Sequence, residues 1–139
     1  MTDSPTILVY TDGASRGNPG PAAIGYAVFD SSGNCLERNA RFIGEHTNNE
    51  AEYEALLWAL ERAGTYTREC VKFHSDSELV VHQVNGVYHV KKEHLRKYVD
   101  RIQSAVGKFR SFRLVYVPRE NPRIVLVDGI VNKVLDEEV

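Results

Sequence analysis

Four acidic residues in four separate segments could together support metal-dependent chemistry. Asp12 closes an apolar run, and Asp76 ends a second strand-like run. Glu52 lies early in a helical stretch, and Asp128 lies in the closing segment of the chain. If the fold gathers these side chains, they form an oxygen-rich cage of the kind that holds Mg²⁺ through a few carboxylates and substrate phosphate oxygens. The pattern therefore predicts phosphodiester chemistry.

Each acid also has a structural alternative. Asp12 could belong to a turn, although no predicted strand follows at hairpin distance. Asp76 could cap a helix, but Ser75 can fill that role. Glu52 is evenly balanced between a solvated helix position and one that points to the sheet. Asp128 could equally be an early helix residue that the macrodipole favours.

Size and composition predict one domain over residues 1–139. The chain has 42% hydrophobic and 26% charged residues, which is typical of a globular protein. Its leading segment lacks the pattern of a signal peptide, and no apolar run reaches transmembrane length. The two cysteines, Cys35 and Cys70, are far apart and form no metal-binding pair. We therefore expect a cytoplasmic protein without a membrane partner.

Charge is unevenly distributed along the chain. The net charge is −2, yet the segment 91–123 contains ten Lys and Arg against three acidic residues, a local balance of +7. Such a region beside an acidic cage suits an enzyme that grips a phosphate backbone and cuts it. A solvated helix face explains the same charges equally well.

The hydrophobic pattern predicts a mixed α/β fold. Three strands that form an antiparallel meander are followed by a helix, a strand, two helices, a strand and a final helix, which favours a mixed sheet with helices on its faces. Capping boxes begin at Thr47 and Ser75, and Gly64 can end the first helix. The predicted strands are 6–11, 23–29, 35–43, 70–75 and 112–117. Two predicted helices begin at the capping boxes, and two more cover 93–109 and 127–137.

Five segments occur in the order of the motifs of one known family: 11–20, 47–53, 75–81, 83–86 and 117–120. On these segments the chain resembles type 1 ribonuclease H, which cleaves the RNA strand of RNA–DNA hybrids, and it is most similar to the short archaeal and bacterial forms. The resemblance implies a five-stranded mixed sheet whose first three strands are antiparallel, with helices on both faces.

The resemblance also implies a catalytic set that binds metal. Asp12, Glu52, Asp76 and Asp128 match the family's four acidic ligands for two Mg²⁺ ions, with Mn²⁺ as an alternative. Two dications would clamp the scissile phosphate, activate water and stabilise the leaving 3′ oxygen. The products would carry a 5′ phosphate and a 3′ hydroxyl.

Asp128 departs from the family pattern. The acid usually follows a polar loop with an Asn about four residues earlier, whereas Asn121 lies seven residues upstream and the segment 122–127 is mostly apolar. A displaced Asp128 would deprive one metal of a ligand. The family's loop His is also missing; Arg119, Glu120 or Arg123 could take its place.

Substrate-binding positions follow from the same resemblance. Short amides and hydroxyls can read the 2′-hydroxyls that separate RNA from DNA, and lysines can hold backbone phosphates. Several of these residues also have local roles as caps, turn residues or exposed helix positions. The matching positions are Gly13, Ser15, Asn18, Thr47, Asn48, Asn49 and Gln83, and the basic patch adds Lys91 and Lys92.

The sequence thus predicts a monomeric endoribonuclease whose partner is an RNA–DNA hybrid. Two alternatives stay open. The same fold could act on double-stranded RNA or on DNA recombination intermediates, or it could bind hybrids with weakened catalysis because of the altered segment before Asp128.

Overall fold

The computed structural model describes residues 5–138. The leading segment 1–4, which entered the signal-peptide argument, and residue 139 lie outside this range. Within it, no helix is both long and apolar enough to cross a membrane. The elements are β1 (Ile7–Ser15), β2 (Gly20–Phe29), β3 (Cys35–His46), α1 (Asn48–Ala63), β4 (Cys70–Ser75), α2 (Glu78–Val84), α3 (Glu93–Val106), β5 (Ser111–Tyr116) and α4 (Pro122–Glu138).

The five strands form one mixed sheet in the order β3-β2-β1-β4-β5. β1 pairs antiparallel with β2, and β2 pairs antiparallel with β3. β4 is parallel to both β1 and β5, as expected for strands joined by helical crossovers. This arrangement confirms the predicted fold class.

Both faces of the sheet are buried. On one face, α1, α2 and α3 pack over apolar residues that include Val9, Val28 and Phe73. On the other face, Ile124, Val127, Val131 and Leu135 of α4 cover the opposite sides of β1 and β2. Since side chains alternate along a strand, one strand can supply both cores.

The first hairpin is longer than the sequence pattern predicts. The segment 13–21 was expected to be a loop, but β1 continues to Ser15 and β2 begins at Gly20. Asp12 therefore lies inside a paired strand, opposite Gly25, instead of closing the run. The small residues of this segment resemble a loop in sequence. In the structure, Gly13 leaves room for α1, and Gly20 leaves room for the Arg16 carbonyl, which would lie 2.5 Å from a Cβ.

Two helix starts also differ from the prediction. Thr47 caps α1 with the expected capping box, but α2 is capped by Ser77 and not by Ser75. The oxygen of Ser75 instead accepts a hydrogen bond from the Ser77 N–H at 3.0 Å. α4 begins at Pro122, five residues before the predicted start.

Two glycines let helices approach the middle of the sheet. A Cβ on Gly13 would lie 2.4 Å from the carbonyl carbon of Ala51 in α1. A Cβ on Gly25 would lie 2.7 Å from a methyl carbon of Val131 in α4. Because Gly25 pairs with Asp12, these close approaches converge on the strand position that carries the buried acid.

Gly13→Ala should destabilise the protein by ~1–3 kcal/mol, because the new methyl group overlaps the backbone of α1. Gly129→Ala is the matched control: its Cβ meets nothing within 4 Å on α4, so the change should stabilise the helix by ~0.5–1 kcal/mol. Urea unfolding of both variants measures the difference. Equal stability of the two variants would contradict the close approach at Gly13.

Candidate active site

Three carboxylates from three elements meet at one end of the sheet. Asp12 lies on β1, Glu52 lies on α1, and Asp76 directly follows β4. One oxygen from each lies within 4.8 Å of those of the other two. β1 and β4 are parallel with Tyr10 paired to His74, so the residues two positions further on reach the same level of the sheet.

Glu52 points to the sheet and not to solvent. The Gly13 N–H donates a hydrogen bond of 2.7 Å to Glu52 Oε1. This bond is available because the absence of a Cβ on Gly13 lets the first turns of α1 lie against β1. The structure thus decides between the two orientations that the helical pattern left open.

Asp128 reaches the same cleft but stays outside the compact trio. This acidic cleft, about 420 Å³ in volume, is lined by Asp12, Glu52, Asp76 and Asp128 together with Gly13, Ala14, Asn48, Asn49, Ser77 and Arg119. Asp128 is exposed and lies in the second turn of α4. The macrodipole acts most strongly in the first turn of a helix, and Asp128 lies beyond that turn.

The altered segment before Asp128 is helix and not loop. Asn121 caps it: its Oδ1 accepts from the Arg123 N–H at 3.0 Å, and its carbonyl accepts from the Val125 N–H at 2.9 Å. Pro122 occupies the first helical position, where a missing N–H costs nothing. Because α4 already begins at Pro122, Asp128 lies on the helix and lines the cleft.

Crowding of the carboxylates shifts their ionisation. Burial, followed by the charges of Asp76 and Asp128, raises the pKa of Asp12 to about 8. Burial, followed by the charges of Asp12 and Asp76, raises the pKa of Glu52 well above its usual value. Burial also raises the pKa of Asp76, and the nearby Arg119 opposes that shift. Without a cation the site resists full ionisation.

The donor set fits a hard divalent cation. Asp12 Oδ2 is buried and has no hydrogen-bond partner within residues 5–138. A buried polar atom of this kind normally has a partner, and a cation bound between the carboxylates would supply one. Carboxylate oxygens are the ligands that Mg²⁺ and Mn²⁺ prefer.

Ser77 was not foreseen as a residue of the acidic cleft, and Arg119 was foreseen only as a possible replacement for the loop His. Ser77 follows Asp76 and caps α2. The sequence pattern assigns that cap to Ser75 and therefore does not single out Ser77. Arg119 lies in the turn between β5 and α4, is exposed, and favours the charged forms of Glu52 and Asp76. Its position in the sequence motif 117–120 was the available signal.

The candidate substrate residues near α1 hold one another in place. The Ser15 N–H donates to Asn48 Oδ1 at 2.9 Å, and the Asn48 N–H donates to Asn18 Oδ1 at 3.0 Å. The Thr47 oxygen accepts from the Glu50 N–H at 3.1 Å. These bonds fix the first hairpin to the start of α1. The backbone N–H groups of Gly13 and Ser15 are thereby engaged within the protein.

Gln83, Lys91 and Lys92 line a second, smaller cavity of about 220 Å³. Gln83 is buried and accepts a hydrogen bond from the Tyr53 hydroxyl, so the alternative of an exposed helix residue was wrong. The two lysines are exposed. Asn49 lines both this cavity and the acidic cleft, so the two lie next to each other.

Comparison with known proteins identifies the family. A reverse transcriptase-like family model matches residues 10–127. The structure superposes on ribonuclease H1 from Halobacterium salinarum with a TM-score of 0.88 and 36% identity, covering 95% of this chain and 98% of that one. The chain belongs to the type 1 ribonuclease H family.

Other members of the ribonuclease H family match over nearly the whole chain. A ribonuclease H1 isolated from compost, solved in complex with an RNA/DNA hybrid, is 40% identical with a TM-score of 0.87 and covers 95% of this chain and 98% of that one. The curated ribonuclease HI of H. salinarum is 37% identical over 132 residues, and a bifunctional protein of Mycobacterium tuberculosis is 34% identical over 131. Each alignment covers 94% of this chain. The chain spans 65% and 35% of the lengths of those two relatives.

The raised pKa of Asp12 predicts how stability depends on pH when metal is absent. The folded protein holds the Asp12 proton up to about pH 8, whereas the unfolded chain releases it near 3.8. Between these values the folded state binds more protons, so stability falls as pH rises. Asp12→Asn removes this cost and should raise the melting temperature by several degrees at pH 7.5, but little at pH 4.

Thermal melts in a chelator at several pH values measure this effect. Asp100→Asn on the exposed face of α3 is the control and should show no comparable gain. A gain for Asp12→Asn that does not grow with pH would refute the ionisation argument.

Proposed function

We propose that this protein cleaves the RNA strand of RNA–DNA hybrids as a metal-dependent endoribonuclease that leaves 5′-phosphate and 3′-hydroxyl ends. The observation that carries the proposal is the trio of carboxylates within 4.8 Å of one another, where β1 runs past the end of β4. A relative with 40% identity and a TM-score of 0.87 has been solved with an RNA/DNA hybrid, which supports the substrate class.

Asp12, Glu52 and Asp76, with Asp128 beside them, would hold two Mg²⁺ ions, with Mn²⁺ as an alternative. Bound dications supply an activated water and neutralise charge at the scissile phosphate. The protein contributes rigid placement. The Gly13 N–H orients Glu52, and burial shields the Asp12 carboxylate from water that would compete with a cation. Asp128 is exposed and outside the trio, which suits a ligand that adjusts when cation and substrate arrive.

The acidic cleft and the neighbouring cavity lined by Gln83, Lys91 and Lys92 meet at Asn49 and together offer a path for the hybrid. Asn48 and Asn49 lie beside the carboxylates, where short amides can meet 2′-hydroxyls in the minor groove. Lys91 and Lys92 lie further along, where they can hold phosphates without reading bases. Asn18 would act through Asn48, since it orients that residue's backbone.

Arg119 is our candidate for the role of the missing loop His. It lines the acidic cleft together with the carboxylates, and its charge favours the ionised forms of Glu52 and Asp76. A guanidinium can pair with a departing 5′ phosphate in bidentate fashion.

We also propose that residues 1–139 act as one ribonuclease H-like domain, as a monomer in a reducing cytoplasm. Cys35 and Cys70 are both free thiols, which suits such a compartment.

Cleavage of matched substrates tests the activity. With Mg²⁺, the protein should nick the RNA of a hybrid faster than duplex RNA or duplex DNA of one sequence. Asp12→Asn and Asp76→Asn should each lower the rate by at least ~10³-fold, while Asp100→Asn leaves it unchanged. Preferential cutting of DNA would refute the substrate class. Tight hybrid binding without Mg²⁺- or Mn²⁺-dependent nicking would show a binding module instead.

Asp128→Asn tests the fourth acid separately. Because Asp128 lies outside the trio, we expect a milder loss of ~10–100-fold and a higher Mg²⁺ concentration for half-maximal rate. Glu137→Gln, an exposed acid further along α4, is the matched control. A rate and metal dependence identical to the parent protein would remove Asp128 from the site.

A further inference from the structure

A further cavity lies between α1 and α3, lined by none of the residues of the acidic cleft. This cationic cleft has a volume of about 330 Å³, and four exposed basic residues surround it. They come from β3, the α1–β4 connection, α3 and the turn after α3: Arg41, Arg68, Arg101 and Lys108.

The lining of the cationic cleft combines positive charge with apolar surface. Its walls include Leu57, Trp58 and Phe109, of which Phe109 is buried. Two acids, Glu54 and Glu61, also line it, so the cleft has a net charge of +2. Glu54 is already engaged, because the Tyr98 hydroxyl donates to it at 2.8 Å and Arg101 lies 4.0 Å away. The free charge at the cleft is therefore mainly positive.

We propose that the cationic cleft binds an acidic peptide segment of a partner protein, with one apolar side chain of that segment placed between α1 and α3. Arginine recognises carboxylates through paired hydrogen bonds, and three arginines surround this opening. The apolar lining offers burial to a single side chain, and the volume lies at the lower end of the range for ligand pockets.

The cleft is less suited to nucleic acid. Single strands bind through aromatic faces on which bases stack, but Trp58 is already covered. The Arg41 guanidinium lies 4.1 Å from its ring centroid, and Tyr26 packs edge-on at 4.8 Å. The exposed Glu61 in the wall would repel a phosphate, whereas it can accept a backbone N–H from a peptide.

The experiment uses the full chain and its single tryptophan, Trp58, as the reporter. A fluorescein-labelled peptide with Asp and Glu on both sides of a Leu-Phe pair serves as the probe, and the same peptide with Lys in place of the acids serves as its control. Binding of the acidic peptide should change Trp58 emission and fluorescence polarisation together. Added salt should weaken the binding of the acidic peptide.

The double variant Arg68→Ala/Lys108→Ala should weaken binding by about tenfold or more. Arg113→Ala/Lys133→Ala removes the same charge from exposed positions outside the cleft and should bind like the parent. Both variants should keep the melting temperature of the parent, which shows that they fold. Asp12→Asn, which should abolish hybrid nicking, should bind the peptide like the parent, and this separates the proposal from the proposed catalytic function.

Three results would overturn the proposal. One is the absence of any binding signal with the acidic peptide. A second is equal weakening in the two double variants, which would show that only overall charge attracts the peptide. A third is displacement of the peptide by a single-stranded oligonucleotide that quenches Trp58 and loses affinity in Arg68→Ala/Lys108→Ala, which would assign the cleft to nucleic acid.

Discussion

Repulsion between buried carboxylates is the constraint around which this structure is organised. Asp12 is almost fully buried beside two other acids, and its pKa rises to about 8 as a consequence. An arrangement that opposes ionisation persists only if the surrounding fold holds it in place. The hold here is the backbone of β1, which is paired with β2 at Asp12 and with β4 up to Tyr10. In addition, α1 packs so closely against Gly13 that a Cβ there would not fit.

α1 is fixed at both ends, which keeps Glu52 aimed at the sheet. At its start, the Thr47 capping box and the Gly13 N–H hold the first turns. Near its end, Arg62 makes two hydrogen bonds to Glu37 on β3, at 2.8 and 2.9 Å. The Tyr66 hydroxyl donates to the same carboxylate. Arg62 is the main cause of the drop in the Glu37 pKa to about 2, so this anchor stays charged at any pH where the enzyme would work.

The sequence was sufficient to predict the order of elements and the mixed sheet, because hydrophobic period and capping chemistry are local signals. β4 was placed at its observed bounds, and the cap of α1 was correct. The sequence was insufficient wherever tertiary packing decides. Gly13 resembles a loop residue in sequence, whereas in the structure its missing Cβ makes room for α1. The role of Ser75 likewise depends on where the chain leaves the sheet.

The segment before Asp128 shows the same limit. Its apolar residues stand where the family has a polar loop, and the structure shows why: Ile124 and Val127 belong to the core between α4 and the sheet. The trio itself could be assembled only through the family resemblance, since residue spacing alone does not bring 12, 52 and 76 together. Sequence likewise could not tell that Gln83 is buried against Tyr53, because its helix is short and its partner lies thirty positions away.

The two ends of α1 serve different surfaces. Glu52 near its start belongs to the acidic cleft, while Trp58 and Glu61 further along line the cationic cleft. Because α1 is anchored at both ends, a ligand in the cationic cleft would meet a surface that is already formed and would not have to move Glu52. Binding at a preformed surface avoids the entropy of ordering the site. The fold can thus present a partner site and a metal site on one helix without requiring them to compete.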